Sequence, residues 1–521
     1  MKKHFLNIAI LLLALCALCA CSSSDDVTET PPAKKDSWTL VIANQTTRGL
    51  ELSDNTNKLT PTWDATDEIH VYYNNVEVGV LNPESNGSGE VQFAGDLDGA
   101  SYTVGQTLEM YYRRDKTNEP TFTGQKGTIA NIAANFDFAH ATPTITAVDN
   151  VNKVITVETA DFDSEEAIIR FYFDKDLAAG DVLTVSALDL DPAEGTAGLV
   201  KETATVTLES AVAASNPVYV AIPVDGVSSY YEVIVTRSGQ DILTGGKANK
   251  TLYNGKYYSV TIALDDKWQL WAGGPAFRIK NLDAARVTDG GKFYAWGETT
   301  GRAQANILIF NWATYSLCTP KEGTDGASFS SIDRYNENIP YEGVSATTEL
   351  VLLPEDDAAT VGLGSPWRMP TKAEAEALKA NTTAVDFALG NKYHGINGVL
   401  LRGKGTFINR TIFLPFSGYY DGVRYEDDEY NDIDEGGIIG LGKEGNFWTA
   451  TEAETYSKKG KRMYMKAYCF YWSHYDQKWA WNNPDDPDDD TGYHFDEGLD
   501  IELYEDNRYA GQNIRPVQTV E

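Results

Sequence analysis

Apolar and polar positions alternate through most of the first half of the chain. Tyr258, Val260, Ile262 and Leu264 fall on one register, and Lys256, Ser259 and Thr261 fall on the other. A period of two is the mark of a half-buried strand, and the Asn254-Gly255 turn signal sits just before it. Runs of the same kind recur at 38–42, 63–73, 78–81, 90–93, 168–173, 182–185, 204–208, 218–222 and 231–236. Short strands punctuated by turns, with almost no helical periodicity, predict β-sandwich architecture. The span is long enough for two sandwiches, 38–145 and 146–265, with the break between Thr142 and Asn152.

The texture changes from residue 266. Tryptophan and tyrosine become dense, and glycine-rich loops separate short segments such as 293–298, 310–315 and 365–371. Thr371 with Glu374 forms a Thr-x-x-Glu capping box in front of an alanine-rich run, so a helix is predicted to open there. Stretches 399–401, 411–416, 446–450 and 462–470 read as strands. The expectation for 266–521 is therefore one α+β body joined to the last sandwich strand with hardly any linker.

Composition narrows the setting. The 521 residues carry a formal net charge of −33, which argues against nucleic acid and against an electrostatic grip on anionic lipid. Lys2-Lys3-His4 followed by apolar residues 5–20 reads as a secretory signal peptide, and no other stretch is long and apolar enough to span a bilayer. Residues 21–37, with Pro31-Pro32, have linker composition. Past Cys21 only Cys318 and Cys469 remain, without a Cys-x-x-Cys pair. A single Cys318–Cys469 bridge and two unpaired buried thiols are both open. None of the six histidines lies in a nucleophile–base pattern, so an enzyme is not expected.

Four resemblances sharpen these readings. Leu18-Cys19-Ala20-Cys21 resembles a bacterial lipobox, which implies lipidation of Cys21, and Ser22-Ser-Ser-Asp-Asp26 resembles the tag of surface-exported lipoproteins in the Bacteroidetes. Thr47-Arg48, the Trp63-x-x-x-Asp67-x-Ile69-x-Val71 strand, Gly87-x-Gly89-x-Val91-x-Phe93 and the ending 247–264 resemble the fimbrillin family of pilin-like lipoproteins. That resemblance implies transthyretin-like sandwiches and clipping after Arg48. Clipping would remove the first strand and leave a groove that a neighbouring pilin fills by donor-strand addition. Tyr294-Ala-Trp-Gly-Glu298, Trp367-Arg-Met-Pro-Thr371, Phe413-Leu-Pro-x-x-Gly418, Phe447-Trp-Thr-Ala-Thr451 and Gly511-x-x-Ile-Arg-Pro-Val517 resemble the Fibrobacter succinogenes major paralogous domain. This implies a C-type-lectin-like fold related to the formylglycine-generating enzymes. The enzyme branch needs a close cysteine pair, which this chain lacks.

Binding chemistry is the remaining expectation for the second half. Acidic loops occupy 426–435 and 482–490. Asp485, Asp486, Asp488, Asp489 and Asp490 are the candidates for a calcium site, and a solvated acidic loop is the alternative. Trp479 and Trp481 are candidate ligand-binding residues, with Trp472, Tyr419 and Tyr420 as further faces for stacking a sugar. Core packing is the competing role for each aromatic. No cofactor other than calcium is suggested. Two arrangements follow: an adhesive pilus subunit at a tip, presenting a lectin-like head to a glycan or host protein, or a lipoprotein held at the outer membrane that captures polysaccharide or anchors a pilus. Gln518–Glu521 after the closing Arg-Pro-Val is too short to fill a groove, so this chain is expected to accept a strand rather than donate one.

Overall fold

The computed structural model describes residues 37–42, 63–85, 93–99, 101–191, 197–303, 310–324, 328–335, 350–422, 438–456, 462–481 and 493–520. Cys21, Arg48, and Asp485, Asp486, Asp488, Asp489 and Asp490 lie outside the described residues. The chain is mostly β, as the alternation predicts.

The first body contains β1 (Trp38–Ile42), β2 (Ile69–Tyr73), β3 (Val76–Pro83), β4 (Phe93–Ala94), β5 (Asp96–Leu97) and β6 (Glu109–Tyr112). After helix α1 (Ile129–Asn135) come β7 (Ala139–Ala141), β8 (Ile145–Asp149), β9 (Val154–Val157) and β10 (Asp163–Ser164). One sheet has the order β5-β1-β9-β8 and the other β10-β7-β6-β2-β3-β4. Alternate residues of both sheets meet in a core around Trp63, which is 1% exposed. The Trp63 ring stands edge-on to Phe93, Tyr112 and Phe162 at 4.9, 5.3 and 5.6 Å.

The second body holds β11 (Ala167–Phe173), β12 (Val182–Asp189), β13 (Leu199–Thr207), β14 (Val218–Ile222), β15 (Asp225–Arg237), β16 (Gln240–Tyr253) and β17 (Tyr257–Ile262). Its sheets run β14-β11-β17 and β13-β12-β15-β16. The chain between β6 and β7 leaves the first core and enters the second, carrying Phe122, Ile132 and Phe136 into it. Gln125 threads between β13 and β14: its N–H donates to Thr205 O at 2.9 Å and its carbonyl accepts from Thr207 N at 2.8 Å. Its buried amide donates to Ala221 O at 2.7 Å and accepts from Ala221 N at 2.8 Å. Gly127 follows at φ +73, and an added Cβ would lie 2.9 Å from Val218 and 3.2 Å from Leu208, so glycine is required. Paired ions close the seam. Asp67 accepts from the Arg113 guanidinium at 2.8 and 3.2 Å, and Glu165 takes Arg114 bidentately at 2.6 and 2.7 Å.

The third body comprises β18 (Lys267–Gln269), β19 (Ala276–Arg278), β20 (Cys318–Pro320), β21 (Phe329–Ile332), α2 (Ala358–Leu363) and α3 (Lys372–Asn381). It continues with β22 (Thr382–Phe387), β23 (Gly398–Gly403), β24 (Thr411–Pro415), β25 (Glu444–Tyr456), β26 (Arg462–Trp481), β27 (Tyr493–Asn507) and β28 (Val517–Gln518). Helix α3 opens on the predicted capping box, with both reciprocal bonds of Thr371 and Glu374 present. Val517–Gln518 pairs antiparallel with β19.

The second and third bodies are docked. Leu264 N donates to Asp174 Oδ1 at 2.8 Å, and Asp265 exchanges two 2.9 Å backbone bonds with Thr244, so the junction is held along β16. One apolar cluster takes Leu188, Leu190, Tyr230 and Ile234 from the second body and Phe387, Tyr393, Phe413 and Trp472 from the third. Buried Glu232 accepts from Tyr393 Oη at 2.7 Å and lies 3.2 Å from His394 Nε2. Asn409 binds Tyr230 Oη at 2.9 Å and Ala248 N at 2.8 Å. Asp241 takes Val287 N at 2.9 Å and Arg286 at 3.2 Å. Gly198 N donates to Asp386 O at 2.6 Å, and a Cβ there would meet Val385 at 2.6 Å. Apolar area and charge-assisted bonds thus act on the same seam.

Candidate functional site

The motifs that mark the third body in sequence meet in its interior. Trp296 Nε1 donates to Thr449 O at 2.9 Å, and Trp448 Nε1 donates to Tyr294 O at 2.8 Å; both indoles are fully buried. Tyr294 and Gln512 exchange backbone bonds at 2.8 and 3.0 Å, and Arg368 pairs with Val517 at 3.0 and 2.8 Å. Arg515 is fully buried and donates to Arg278 O and Phe413 O at 3.0 and 2.7 Å. Burial, with Arg278 nearby, pulls its pKa down to about 9. A buried cation bound to two carbonyls ties the closing motif to β19 and β24, and this role is architectural. The same holds for Trp472 and Tyr420, at 0% and 1% exposure: they are core residues, which removes them as ligand faces.

Cys318 and Cys469 are free, buried thiols in separate clusters. Cys318 Sγ lies 3.2 Å from Trp312 O, and burial pushes its thiol up to about 11. Burial raises Cys469 well above the ordinary thiol range. Neither has thiolate character at neutral pH. Among the described residues no group of three His, Cys, Asp or Glu side chains could hold a metal ion.

Two features offer binding geometry. The first is the slot filled by β1. This strand pairs antiparallel with β5 at Trp38–Leu97 and parallel with β9 from Thr39–Val154 to Ile42–Val157. Trp38 and Leu40 point inward at 3% and 4% exposure. The Trp38 ring stands edge-on to Tyr102 at 5.3 Å, and the Lys153 ammonium lies 4.7 Å from its centroid. Taking β1 away would expose unpaired groups on two neighbours and open an apolar trough between them.

The second is an arm on the third body. β25 pairs with β26 only as far as Glu444 opposite Ser473, whereas β26 and β27 stay paired to Trp481 opposite Tyr493. Residues 474–481 and 493–499 thus form a two-stranded ribbon about 25 Å long at ~3.3 Å per residue. His474 Nδ1, 2.6 Å from Asp386 Oδ2, fastens its root to β22. A bulge between Tyr475 and Lys478 resets the register, so that Trp479 stands opposite Phe495 and Trp481 opposite Tyr493. Opposed, alternating positions of a ribbon share a face, so positions 479, 481, 493 and 495 fall on one face in register. On β27 this face continues through Glu497 to Leu499, Ile501 and Leu503, which pack against the core. Sequence reading singled out Trp479 and Trp481 but missed Tyr493 and Phe495, because the pairing depends on the bulge. At the other end of this sheet, opposite Ala467, burial and neighbouring Asp421 push the Asp506 carboxyl up to about 6, while Gln512 Nε2 donates to it at 2.6 Å.

No family model matches this sequence, and no curated protein matches it. Among solved structures, a Bacteroides ovatus protein assigned to cell adhesion is similar at 15% identity, over 44% of this chain and 92% of its own, with a TM-score of 0.27. A Bacteroides uniformis protein with the same assignment matches at 9% identity, over 45% and 94%, with a TM-score of 0.25. A fimbrial protein from Bacteroides ovatus matches at 10% identity, over 94% and 100%, with a TM-score of 0.22. At these scores the likeness carries no weight for fold or function.

Proposed function

We propose that this chain is a cell-surface lipoprotein of the fimbrillin type, an adhesive pilus subunit whose first body accepts a strand from a neighbouring subunit and whose third body is a lectin-like binding head. The organisation proposed is signal peptide 1–20, lipidated linker 21–37, two sandwiches and head 266–521; the break expected between 145 and 146 is corrected to about residue 165, because strands β8, β9 and β10 complete the sheets of the first sandwich. Cys21 carries the lipid, and Arg48 is the processing position. The observation that supports this reading best is the placement of β1. It is the only described strand upstream of Arg48, and it lies between two others while giving Trp38 and Leu40 to the core. Cleavage after Arg48 would free one structural unit, and an extended segment from another chain would repair both its ladder and its apolar trough.

The test is a chain that begins at Gly49, compared with the full mature chain. The shortened chain should lose protease resistance in the first body and regain it with a synthetic peptide of residues 37–42 or with a pilin tail. A shortened chain as stable as the full one, and indifferent to the peptide, contradicts the reading. Calcium at Asp485, Asp486, Asp488, Asp489 and Asp490 belongs to the same proposal and is tested by calorimetric titration with calcium. Absence of a chelator-reversible heat rules it out.

A further inference from the structure

Strand β27 is the last of its sheet. The order is β25-β26-β27, and among the described residues β27 pairs only with β26. From Ile501 opposite Trp472 to Asp506 opposite Ala467 the register is unbroken. Over that stretch β26 is itself backed by β25, from Gly445 opposite Trp472 to Glu452 opposite Ala467. The far side of residues 501–506 is therefore an edge on a firmly held strand, about 20 Å long at ~3.4 Å per residue. Alternate residues turn their backbone N–H and C=O groups out along it. Proteins block such edges with proline, lysine, a bulge or a covering segment. Residues 501–506 contain no proline, lysine or bulge. The device present is acidic charge, at Glu502, Glu505 and Asp506.

The side chains alternate as well. Ile501 and Leu503 turn to the inner face and pack against the core shared by the second and third bodies, yet they stay only partly buried. Glu502 and Tyr504 turn to the other face, where Glu502 is exposed and Tyr504 is 56% exposed. A strand laid beside β27 would set alternate side chains against apolar neighbours on one face and against a carboxylate and a tyrosine ring on the other. The pattern that fits is apolar residues alternating with Lys or Arg. A cation gains from Glu502 by charge and from the Tyr504 ring by cation–π attraction.

Charge also separates the occupants. A second copy, paired edge to edge, would set the acidic residues of one β27 against those of the other, and like charges directly opposite are destabilising. An acidic strand meets the same repulsion. A basic strand is drawn to a chain that carries −33. We propose that the outer edge of β27, at residues 501–506, takes up an extended basic segment of a partner protein as a fourth strand, with apolar side chains beside Ile501 and Leu503 and Lys or Arg beside Glu502 and Tyr504. This goes beyond strand acceptance in the first body, because it adds a strand to a sheet that is already complete.

The experiment uses the full mature chain and a blocked octapeptide of alternating valine and lysine. Calorimetry measures binding, and hydrogen exchange read by mass spectrometry locates it. Saturable binding is expected, with slowed exchange at 501–506 and affinity that falls as salt is raised. An added strand bonds across the edge through alternate residues only. Methylating either the valine or the lysine backbone nitrogens should therefore weaken binding about tenfold or more, while methylating the other set leaves it nearly unchanged. Alternating serine and lysine should bind more weakly, and alternating valine and glutamate should not bind. Glu502→Lys should weaken binding by about threefold to tenfold, with an unaltered thermal transition. The methylated peptides test pairing without touching the protein's fold. The proposal is overturned by an absence of binding, by equal binding of the valine–glutamate peptide, by indifference to both methylated forms, or by protection that falls outside β27. Self-association that protects 501–506 would assign the edge to a second copy, which also overturns it. Uptake of residues 37–42 by the chain beginning at Gly49 is read in the first body, so the two readings fail separately.

Discussion

Tyr393→Phe probes whether the second and third bodies behave as one unit in solution. In the structure the Tyr393 hydroxyl reaches from the third body to Glu232 Oε1 at 2.7 Å, and Glu232 is 2% exposed. A second side-chain neighbour, His394 Nε2, is at 3.2 Å. Removing the hydroxyl leaves a buried carboxylate short of a donor. A hydrogen bond to a charged group contributes about 1.5–3 kcal/mol, and the loss should fall in that range. Glu232→Gln keeps the shape while weakening the same bond. In the double variant the two losses should therefore overlap, with a coupling of roughly 0.5–3 kcal/mol. Urea unfolding followed by tryptophan fluorescence reads the first body through buried Trp38 and Trp63 and the third through buried Trp268, Trp296 and Trp448. Far-ultraviolet circular dichroism reads the β content of all three bodies. Additive losses within about 0.5 kcal/mol would refute the reasoning, as would a Glu232→Gln effect confined to one of two separate transitions.

Four further outcomes follow. Trp38→Ala should destabilise the first body by about 3–5 kcal/mol, because it removes a buried indole with its contacts to Tyr102 and Lys153; denaturant melting of the full chain measures it, and a loss under 1 kcal/mol would show that β1 is not seated as described. Cys318 and Cys469 should be inert to a thiol reagent at pH 8 and both react in denaturant, and a native mass short by the two hydrogens of a disulfide would contradict this. Asp506 is raised in the folded state, so its contribution is present below the unfolded carboxylate pKa and is lost as pH rises through about 6. Stability should therefore fall between about pH 4 and 7.5, and Asp506→Asn should remove that slope, on the order of 1–2 kcal/mol once solvent screening is allowed for; an unchanged slope in the variant would refute the assignment. Thr371→Ala should cost about 0.5–2 kcal/mol through the lost cap of α3, read by thermal unfolding, and a neutral effect would count against the box.

Much of this architecture is legible in the sequence because local rules govern it. Alternation at 169–173 is alternation of burial, the continuously apolar run at 218–222 is buried throughout, and Thr371 with Glu374 announces α3 before any contact is known. What stays hidden is the destination of each apolar residue. Phe122, Ile132 and Phe136 are plainly apolar, yet nothing local says that they leave the first core for the second. Glu232, Tyr393 and His394 are polar residues far apart in the chain, and only the docking of two bodies gives them a common purpose. Trp472 and Trp479 look alike in sequence, but one lies at the centre of the head and the other on the arm. The difference comes from where β25 stops pairing, a tertiary fact. The motifs of the third body are legible for a reason unconnected with ligand binding. Trp296, Trp448 and Arg515 must satisfy buried polar atoms with backbone partners, and few other residues can do so.

The central claim, that β1 is an exchangeable strand and this chain a pilus-type acceptor, is tested most directly by the N-terminus of the protein at the cell surface. Intact mass and N-terminal sequencing of the surface-assembled form should show a chain that begins at Gly49. A surface form that retains a lipidated Cys21 through Arg48 would contradict strand acceptance at this slot and leave a tethered lipoprotein in its place.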